Sequence, residues 1–123
     1  MKVADTSVLI DLLRGEKEIE KKILTEEEEL HTCFPIKCEL YRGTELARKT
    51  KEGKKEVTRL LEELHTLEAD TESAEKVGEL KNKYPDINSF DLMIAGICIS
   101  HNAKLLTRDR DFQKITELES TIV

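Results

Sequence analysis

The sequence lacks the patterns that identify several large classes of protein. Its three cysteines, Cys33, Cys38 and Cys98, have no zinc-type spacing with partner histidines. All three lie in apolar blocks, so we expect free core thiols in a reducing compartment, the cytoplasm. The longest apolar run, residues 92–99, is far too short to cross a bilayer, so no membrane association is expected. Met1 runs directly into an apolar segment, so we expect no signal peptide.

Common catalytic signatures are also absent. The five glycines form neither a phosphate-binding loop nor a dinucleotide fingerprint. The chain contains no G-x-S-x-G and no H-E-x-x-H sequence, and its three histidines have no ligand-like spacing. Any chemistry in this chain must therefore come from other groups.

Length and composition predict one globular domain over residues 1–123. Charged residues make up 37% of the chain and apolar residues 38%, and the apolar residues recur in periodic blocks, which argues against disorder. The net charge of −6, taken alone, argues against binding to nucleic acid. The distribution of the acids is more informative than their sum, because a bound metal would cancel much of a clustered excess.

Short apolar segments alternate with helical patterns along the chain. Strands are predicted over residues 2–4, 30–33, 67–69, 104–107 and 121–123. Helices are predicted over residues 6–13, 16–29, 35–49, 54–65, 71–83 and 89–101, with a helical turn over 111–115. This alternation predicts an α/β fold in which helices cover both faces of a parallel sheet.

Acidic residues follow several of these strands or begin the next helix. They are Asp5 in KVADTSVLIDLL, Glu39 in CFPIKCELYRG, Asp91 in NSFDLMIAGICIS, and Asp109 with Asp111 in KLLTRDRDF. Functional groups of open α/β sheets gather beyond the carboxyl ends of the strands. Acids collected there repel one another unless a cation lies among them, and Mg²⁺ prefers oxygen ligands. The pattern therefore favours metal-assisted phosphodiester chemistry.

Each acid also has a purely structural interpretation. Asp5 could cap the helix that follows it. Glu39 could be an ordinary exposed helical residue, and Asp91 fits the third helical position of a capping box. Asp109 could form an Asx turn. The functional interpretation therefore depends on all of these acids meeting at one place.

The most basic part of the chain is the segment 42–59. Seven cations in it are opposed by three acids. These cations could bind RNA phosphates, or they could simply form a solvated face of two helices.

Three segments of the sequence together resemble the motifs of PIN-domain nucleases, and among these the VapC-type toxins of toxin–antitoxin pairs. The segments are DTSVLIDLLRG, ELYRG and DLMIAGICISHNAKLLTRDRDF. The resemblance implies a Rossmann-like three-layer α/β/α sandwich with a central parallel sheet. It also implies cleavage of RNA that depends on Mg²⁺ or Mn²⁺, a homodimer, and inhibition by a cognate antitoxin protein.

The resemblance also implies roles for individual residues. The catalytic and metal-binding acids would be Asp5, Glu39, Asp91 and Asp109. Asp111 is a further candidate metal ligand, and either Asp109 or Asp111 would be the fourth metal-binding acid. Thr107 and Ser7 would be supporting residues, and Arg42, Arg108 and Arg110 are expected to contact RNA. The acids would hold Mg²⁺, and a metal-bound water would attack the phosphodiester in line.

Two other interpretations stay open from the residues. A receiver-like signalling domain also gathers acids beyond its strands, but it needs two adjacent acids after the first strand, where this chain has only Asp5. A non-catalytic PIN-fold module that binds RNA or a partner protein without cleavage is the second. The set of acids argues against this module without excluding it.

Overall fold

Five short strands form the centre of the molecule. The computed structural model describes residues 1–24 and 29–123. The strands are β1 (Lys2–Ala4), β2 (Leu30–Cys33), β3 (His65–Leu67), β4 (Lys104–Thr107) and β5 (Ser120–Ile122). The residues of β1, β2 and β4 are nearly all buried, as in strands that are covered on both faces, whereas β3 and β5 are more exposed.

The strands form one parallel sheet with the order β3-β2-β1-β4-β5. Successive connections from β1 lead in one direction to β2 and β3, whereas β4 and β5 lie on the other side of β1. The direction of winding therefore reverses between β1 and β4. In open α/β sheets, such a reversal leaves a crevice beyond the carboxyl ends of the two strands.

Six helices and one 3₁₀ turn complete the described part of the chain. The helices are α1 (Thr6–Leu13), α2 (Lys17–Leu24), α3 (Phe34–Glu45), α4 (Thr50–Glu62), α5 (Thr71–Lys83) and α6 (Ser89–Ser100); the turn is Arg110–Lys114. None of these helices is long and apolar enough to cross a membrane.

Helix α6 is the most apolar helix, and it packs closely against α5. A methyl group at Gly96 would lie 2.5 Å from Cγ2 of Val77 and 3.3 Å from the carbonyl oxygen of Ser73, so only glycine allows this approach. Leu92, Ile94 and the other inward residues of α6 belong to the hydrophobic core. Burial of this helix fixes the position of its first turn, where Asp91 lies.

The core also contains two of the cysteines. Cys33 and Cys98 are buried, Cys38 is half-buried, and all three are free thiols, as the sequence predicts. Burial is the main cause that raises the pKa of Cys33 to about 12. This thiol is therefore protonated and inert at neutral pH.

The structure corrects several predicted boundaries. The third helix ends at Glu45 rather than near residue 49, and the next helix begins at Thr50, so Gly53 lies inside α4 rather than in a break. A methyl group at Gly53 would lie 3.5 Å from the side chain of Thr44, an ordinary contact, so packing between α3 and α4 does not require a glycine here. The predicted strand over residues 67–69 is β3, His65–Leu67, because α4 ends at Glu62 and leaves His65 to pair beside His31.

The second helix is also shorter than predicted. It was expected over residues 16–29, but α2 spans Lys17–Leu24, and residues 25–28 of that prediction lie outside the described residues. Gly15 precedes it with a φ of 75°, a left-handed conformation that ends α1 where the sequence predicts.

Candidate active site

Asp5 is the first residue after β1, and its carboxylate has two roles. Oδ1 accepts a hydrogen bond of 2.8 Å from the amide of Thr6, so Asp5 caps α1. Oδ2 accepts a bond of 2.7 Å from the hydroxyl of Thr107, the last residue of β4. The structural interpretation of Asp5 as a cap is therefore correct, and the same side chain also joins the ends of the two strands at the crevice.

Glu39 reaches the same place from α3. The hydroxyl of Thr6 donates a hydrogen bond of 2.9 Å to Oε1 of Glu39, so Thr6 contacts both acids. Thr6 was not among the predicted site residues. The only local signal was a hydroxyl directly after Asp5, and the partner is 33 residues away.

Asp109 follows β4 and continues the same hydrogen-bonded chain. Its amide donates a bond of 3.0 Å to the hydroxyl of Thr107, the group that donates to Asp5. Oδ1 of Asp109 accepts a bond of 2.9 Å from the amide of Asp111, which is an Asx turn. Asp111 itself is exposed and forms an ion pair of 2.9 Å with Lys114, so it lies at the edge of the group.

Asp91 differs from the other three acids because it has no donor. The carboxamide of Asn88 caps α6 by accepting a bond of 2.8 Å from the amide of Phe90. Within residues 1–24 and 29–123, the carboxylate of Asp91 forms no hydrogen bond and no ion pair. The capping box that the sequence allows is therefore incomplete, and it does not explain this carboxylate.

The acids are close enough to affect one another's protonation. Burial raises the pKa of Asp5 and of Glu39, and the hydroxyl groups of Thr107 and Thr6 partly oppose this effect. Burial, followed by the charge of Asp109 and then those of Asp5 and Glu39, raises the pKa of Asp91 to about 6. A carboxylate whose neighbours hold its proton in this way is typical of a functional site.

The donor chemistry of this site fits Mg²⁺ or Mn²⁺. All four acids offer hard oxygen ligands, and no described residue is paired with the carboxylate of Asp91. In the part of the chain that the structure describes, no group of three or more acidic, histidine or cysteine side chains is arranged to hold a metal ion, so the acids stand in an open arrangement. Mutual repulsion and the two threonine hydroxyl groups give a physical reason for this open arrangement.

Ser7 is the remaining predicted supporting residue. Its hydroxyl oxygen is buried and has no hydrogen-bond partner among the residues described. A buried hydroxyl without a partner is costly, so a water or an ion is the expected partner. Ser7 lies two residues after Asp5, in the first turn of α1.

A cleft of about 240 Å³ opens beside two of the acids. Its walls come from the middle of α3 and the start of α6, and its lining residues are Cys38, Glu39, Arg42, Asn88, Phe90 and Asp91. Cys38, Asn88 and Phe90 were not predicted as site residues. Only the packing of α3 beside α6 brings them together, and a linear sequence pattern does not show that contact.

The three predicted RNA contacts have different positions. Arg42 lines the cleft beside Glu39 and Asp91. Arg108 instead forms ion pairs with Asp11 at 2.8 Å and with Glu16 at 3.2 Å, so it ties the loop after β4 to α1 and the start of α2. Arg110 is exposed at the start of the 3₁₀ turn.

The family of the protein follows from a comparison of its sequence. The sequence profile of the PIN domain matches residues 2–118, nearly the whole chain, and the protein therefore belongs to the PIN domain family. This confirms the family predicted from the three motifs and excludes the receiver-like alternative. Among proteins with curated functions, none matches this chain significantly.

Solved structures show the same fold. A chain of VapBC2 from Rickettsia felis, bound to a DNA fragment from the promoter, has a TM-score of 0.88 and 19% identity over 98% of this chain and 96% of that chain. A chain of DNA-bound VapBC from Salmonella typhimurium has a TM-score of 0.86 and 23% identity, with 98% and 97% covered. A chain of VapBC-1 from nontypeable Haemophilus influenzae has a TM-score of 0.83 and 23% identity, over 98% of this chain and 96% of that chain. These matches confirm the predicted α/β fold.

Proposed function

We propose that this protein is a metal-dependent endoribonuclease that acts as the toxin of a VapBC-type toxin–antitoxin pair in the cytoplasm. The observation that carries the proposal is the meeting of Asp5, Glu39, Asp91 and Asp109 at the reversal of the sheet, with mutual effects on protonation. The likeness to chains of three VapBC complexes supports the assignment to this class.

The four acids are the residues that would hold Mg²⁺ or Mn²⁺. When bound, the metal would activate a water and neutralise charge on the phosphate. The protein's contribution is to position the ligands: Thr107 orients the carboxylate of Asp5, and Thr6 orients that of Glu39. Asp91 and Asp109 lie on separate elements, so four different segments must be folded before the site exists.

Inhibition by an antitoxin is part of the proposal. A cluster of acids attracts a cation, and an arginine of a partner meets carboxylates with a permanent charge and two parallel hydrogen bonds. We expect such an Arg or Lys to enter beside Glu39, Asp91 and Asp109 and to compete with the metal. The test is co-purification with the product of the neighbouring gene, followed by Ala substitution of each partner Arg or Lys; full inhibition by every variant would contradict this mode of inhibition.

Formation of a homodimer is also proposed. Phe34 and Met93 are 66% and 40% exposed, and they border an apolar groove of about 300 Å³ with Val77 and Ile97. A second copy of the chain would cover this apolar surface. Phe34→Glu should then convert a dimer into a monomer in light-scattering measurements, and a wild-type monomer at high concentration would refute the dimer.

The central experiment is an RNA-cleavage assay with a matched acid control. Labelled RNA is incubated with the wild type, Asp91→Asn and Asp86→Asn in EDTA, Mg²⁺ or Mn²⁺. Asp86 is an exposed acid outside the cluster, in the loop before α6. We expect cleavage by the wild type and Asp86→Asn in either metal, none in EDTA, and a loss of about 100-fold or more in Asp91→Asn, because a metal ligand contributes several kcal/mol.

The same assay separates the proposal from the non-catalytic alternative. The open arrangement of the acids is the observation that favours a binding module without cleavage. RNA binding with no metal-dependent cleavage under any condition would favour that module and reject the nuclease.

A further inference from the structure

An aromatic and a cationic side chain lie in the cleft beside the acids. Phe90 comes directly before Asp91 at the start of α6, and Arg42 lies one turn after Glu39 in α3. Both line the cleft of about 240 Å³. Neither is needed to hold a metal, so their presence at this place calls for another explanation.

Phe90 presents an accessible ring at the start of α6. The side chain is 42% exposed, whereas most large apolar residues of this chain are buried. The hydrogen bond from its amide to Asn88 holds the backbone at this position. Exposed aromatic rings beside a polar site are the usual platforms on which nucleic-acid bases stack.

Arg42 is placed as an available cation. It is exposed, and among the residues that the structure describes it forms no ion pair, although Glu39 and Asp91 line the same cleft. Arg108, by contrast, is held by Asp11 and Glu16. A guanidinium group without a fixed partner suits a phosphate of the substrate, which it can meet with two hydrogen bonds.

We propose that Phe90 stacks on a base and Arg42 binds a phosphate next to the scissile bond, so that the cleft accepts RNA whose base at this point is unpaired. This inference rests on the proposed function. A base inside a duplex has both faces covered by its neighbours, whereas a single strand or a loop can present a face to the ring. Phe90 and Arg42 are therefore positioning residues for a single-stranded segment.

Binding measurements test the proposal without cleavage. Every protein used in these measurements also carries the substitution Asp109→Asn, which keeps the RNA intact and leaves the lining of the cleft unchanged. The probe is a short random-sequence single-stranded RNA that contains 2-aminopurine, whose fluorescence is quenched when it stacks. The same RNA annealed to its complement is the second probe.

The proposal predicts a specific pattern among the variants. Phe90→Ala should weaken binding of the single strand about tenfold and remove the quenching, while Phe90→Tyr keeps both, because stacking needs only an aromatic face. Arg42→Ala should reduce the slope of log affinity against log salt by about 0.7, the value of one phosphate contact on a single strand. The duplex should bind more weakly than the single strand.

Two control variants match these changes in chemistry. Leu46→Ala removes a side chain that is 79% exposed at the end of α3, and Arg14→Ala removes an exposed cation at the far end of α1. Neither residue lines the cleft, so both variants should bind as the parent does. Molar mass is measured for every variant to detect a change in self-association.

The outcomes distinguish this inference from the proposed function. The inference is overturned if Phe90→Ala and Arg42→Ala leave binding and quenching unchanged, even if the wild type cleaves RNA. It is also overturned if these variants change only the molar mass. The expected binding pattern in a protein that never cleaves RNA supports the inference and rejects the nuclease. Equal affinity for duplex and single strand also overturns it.

Discussion

Two acidic residues of this protein have opposite surroundings. Glu117 accepts hydrogen bonds from Tyr84 at 2.7 Å and Thr116 at 2.8 Å, with Lys83 at 3.4 Å, and the bond from Tyr84 is the main cause that lowers its pKa to about 2. Asp91 has no donor among the residues described, and its pKa is raised to about 6.

The difference separates a structural acid from a functional one. Donors surround the carboxylate of Glu117, so ionisation stabilises the fold. Other acids surround Asp91, so ionisation costs free energy unless a cation is bound. A protein keeps such an arrangement where binding or catalysis needs it, and the two acids can be compared directly by substitution.

The largest expected difference is in catalysis. Asp109→Asn should reduce RNA cleavage by about 100-fold or more, because it removes a proposed metal ligand. Glu117→Gln should leave the rate constant for cleavage nearly unchanged in the same assay, since its partners are Tyr84, Thr116 and Lys83. Equal losses of activity in both variants would remove the functional distinction between the two acids.

The two acids should have the opposite order of importance for stability, and the difference should be smaller: Glu117 contributes to stability, whereas Asp91 does not. Glu117→Gln should lower the free energy of unfolding by about 1 kcal/mol, because it weakens a charge-assisted hydrogen bond to Tyr84 on a partly exposed side chain. Asp91→Asn should leave the metal-free protein equally or more stable, since it removes a repelled charge. Urea unfolding of both variants measures this, and strong destabilisation by Asp91→Asn would identify Asp91 as a structural residue.

An effect of similar size is expected on the pH dependence of stability. An aspartate has a pKa of about 3.9 when unfolded, so between this value and about 6 the folded protein binds more protons at Asp91 than the unfolded protein does. This contribution is present below pH 4 and is lost as the pH rises through 6. The residue is partly exposed, so we expect a change on the order of 1 kcal/mol after screening.

The control for the pH measurement is Asp91→Asn. Metal-free wild type and variant are unfolded in urea at a series of pH values, and the difference between their stabilities is plotted. A difference that stays constant between pH 4 and pH 7 would show that neither burial nor the neighbouring acids raise the pKa of Asp91.

The sequence predicted the fold and the acids better than the contacts between them. The bounds of β1, α1 and β4 are correct because apolar runs there end at clear capping residues such as Asp5. The break at Gly53 was wrong because a glycine can also lie inside a helix, at a cost of about 1 kcal/mol relative to alanine. Propensity alone does not show whether a glycine ends a helix or lies within it.

Contacts distant in sequence explain the remaining differences. Arg108 was predicted to bind RNA, but its partners Asp11 and Glu16 are more than 90 residues away, and a linear pattern does not reveal them. The bridge from Thr6 to Glu39 and the position of Phe90 beside Cys38 also depend on how α1, α3 and α6 pack. The sequence therefore indicates which residue types are present, and the packing decides their partners.

Metal binding by the acid cluster is the central claim, and the thermal midpoint of the metal-free protein tests it most directly. Mn²⁺ at ten times its dissociation constant should stabilise the wild type by about 1.4 kcal/mol and raise the midpoint by roughly 5 °C. The double variant Asp91→Asn/Asp109→Asn should show no shift, while Asp86→Asn shifts as the wild type does. An undiminished shift in the double variant would place the metal elsewhere and contradict the account.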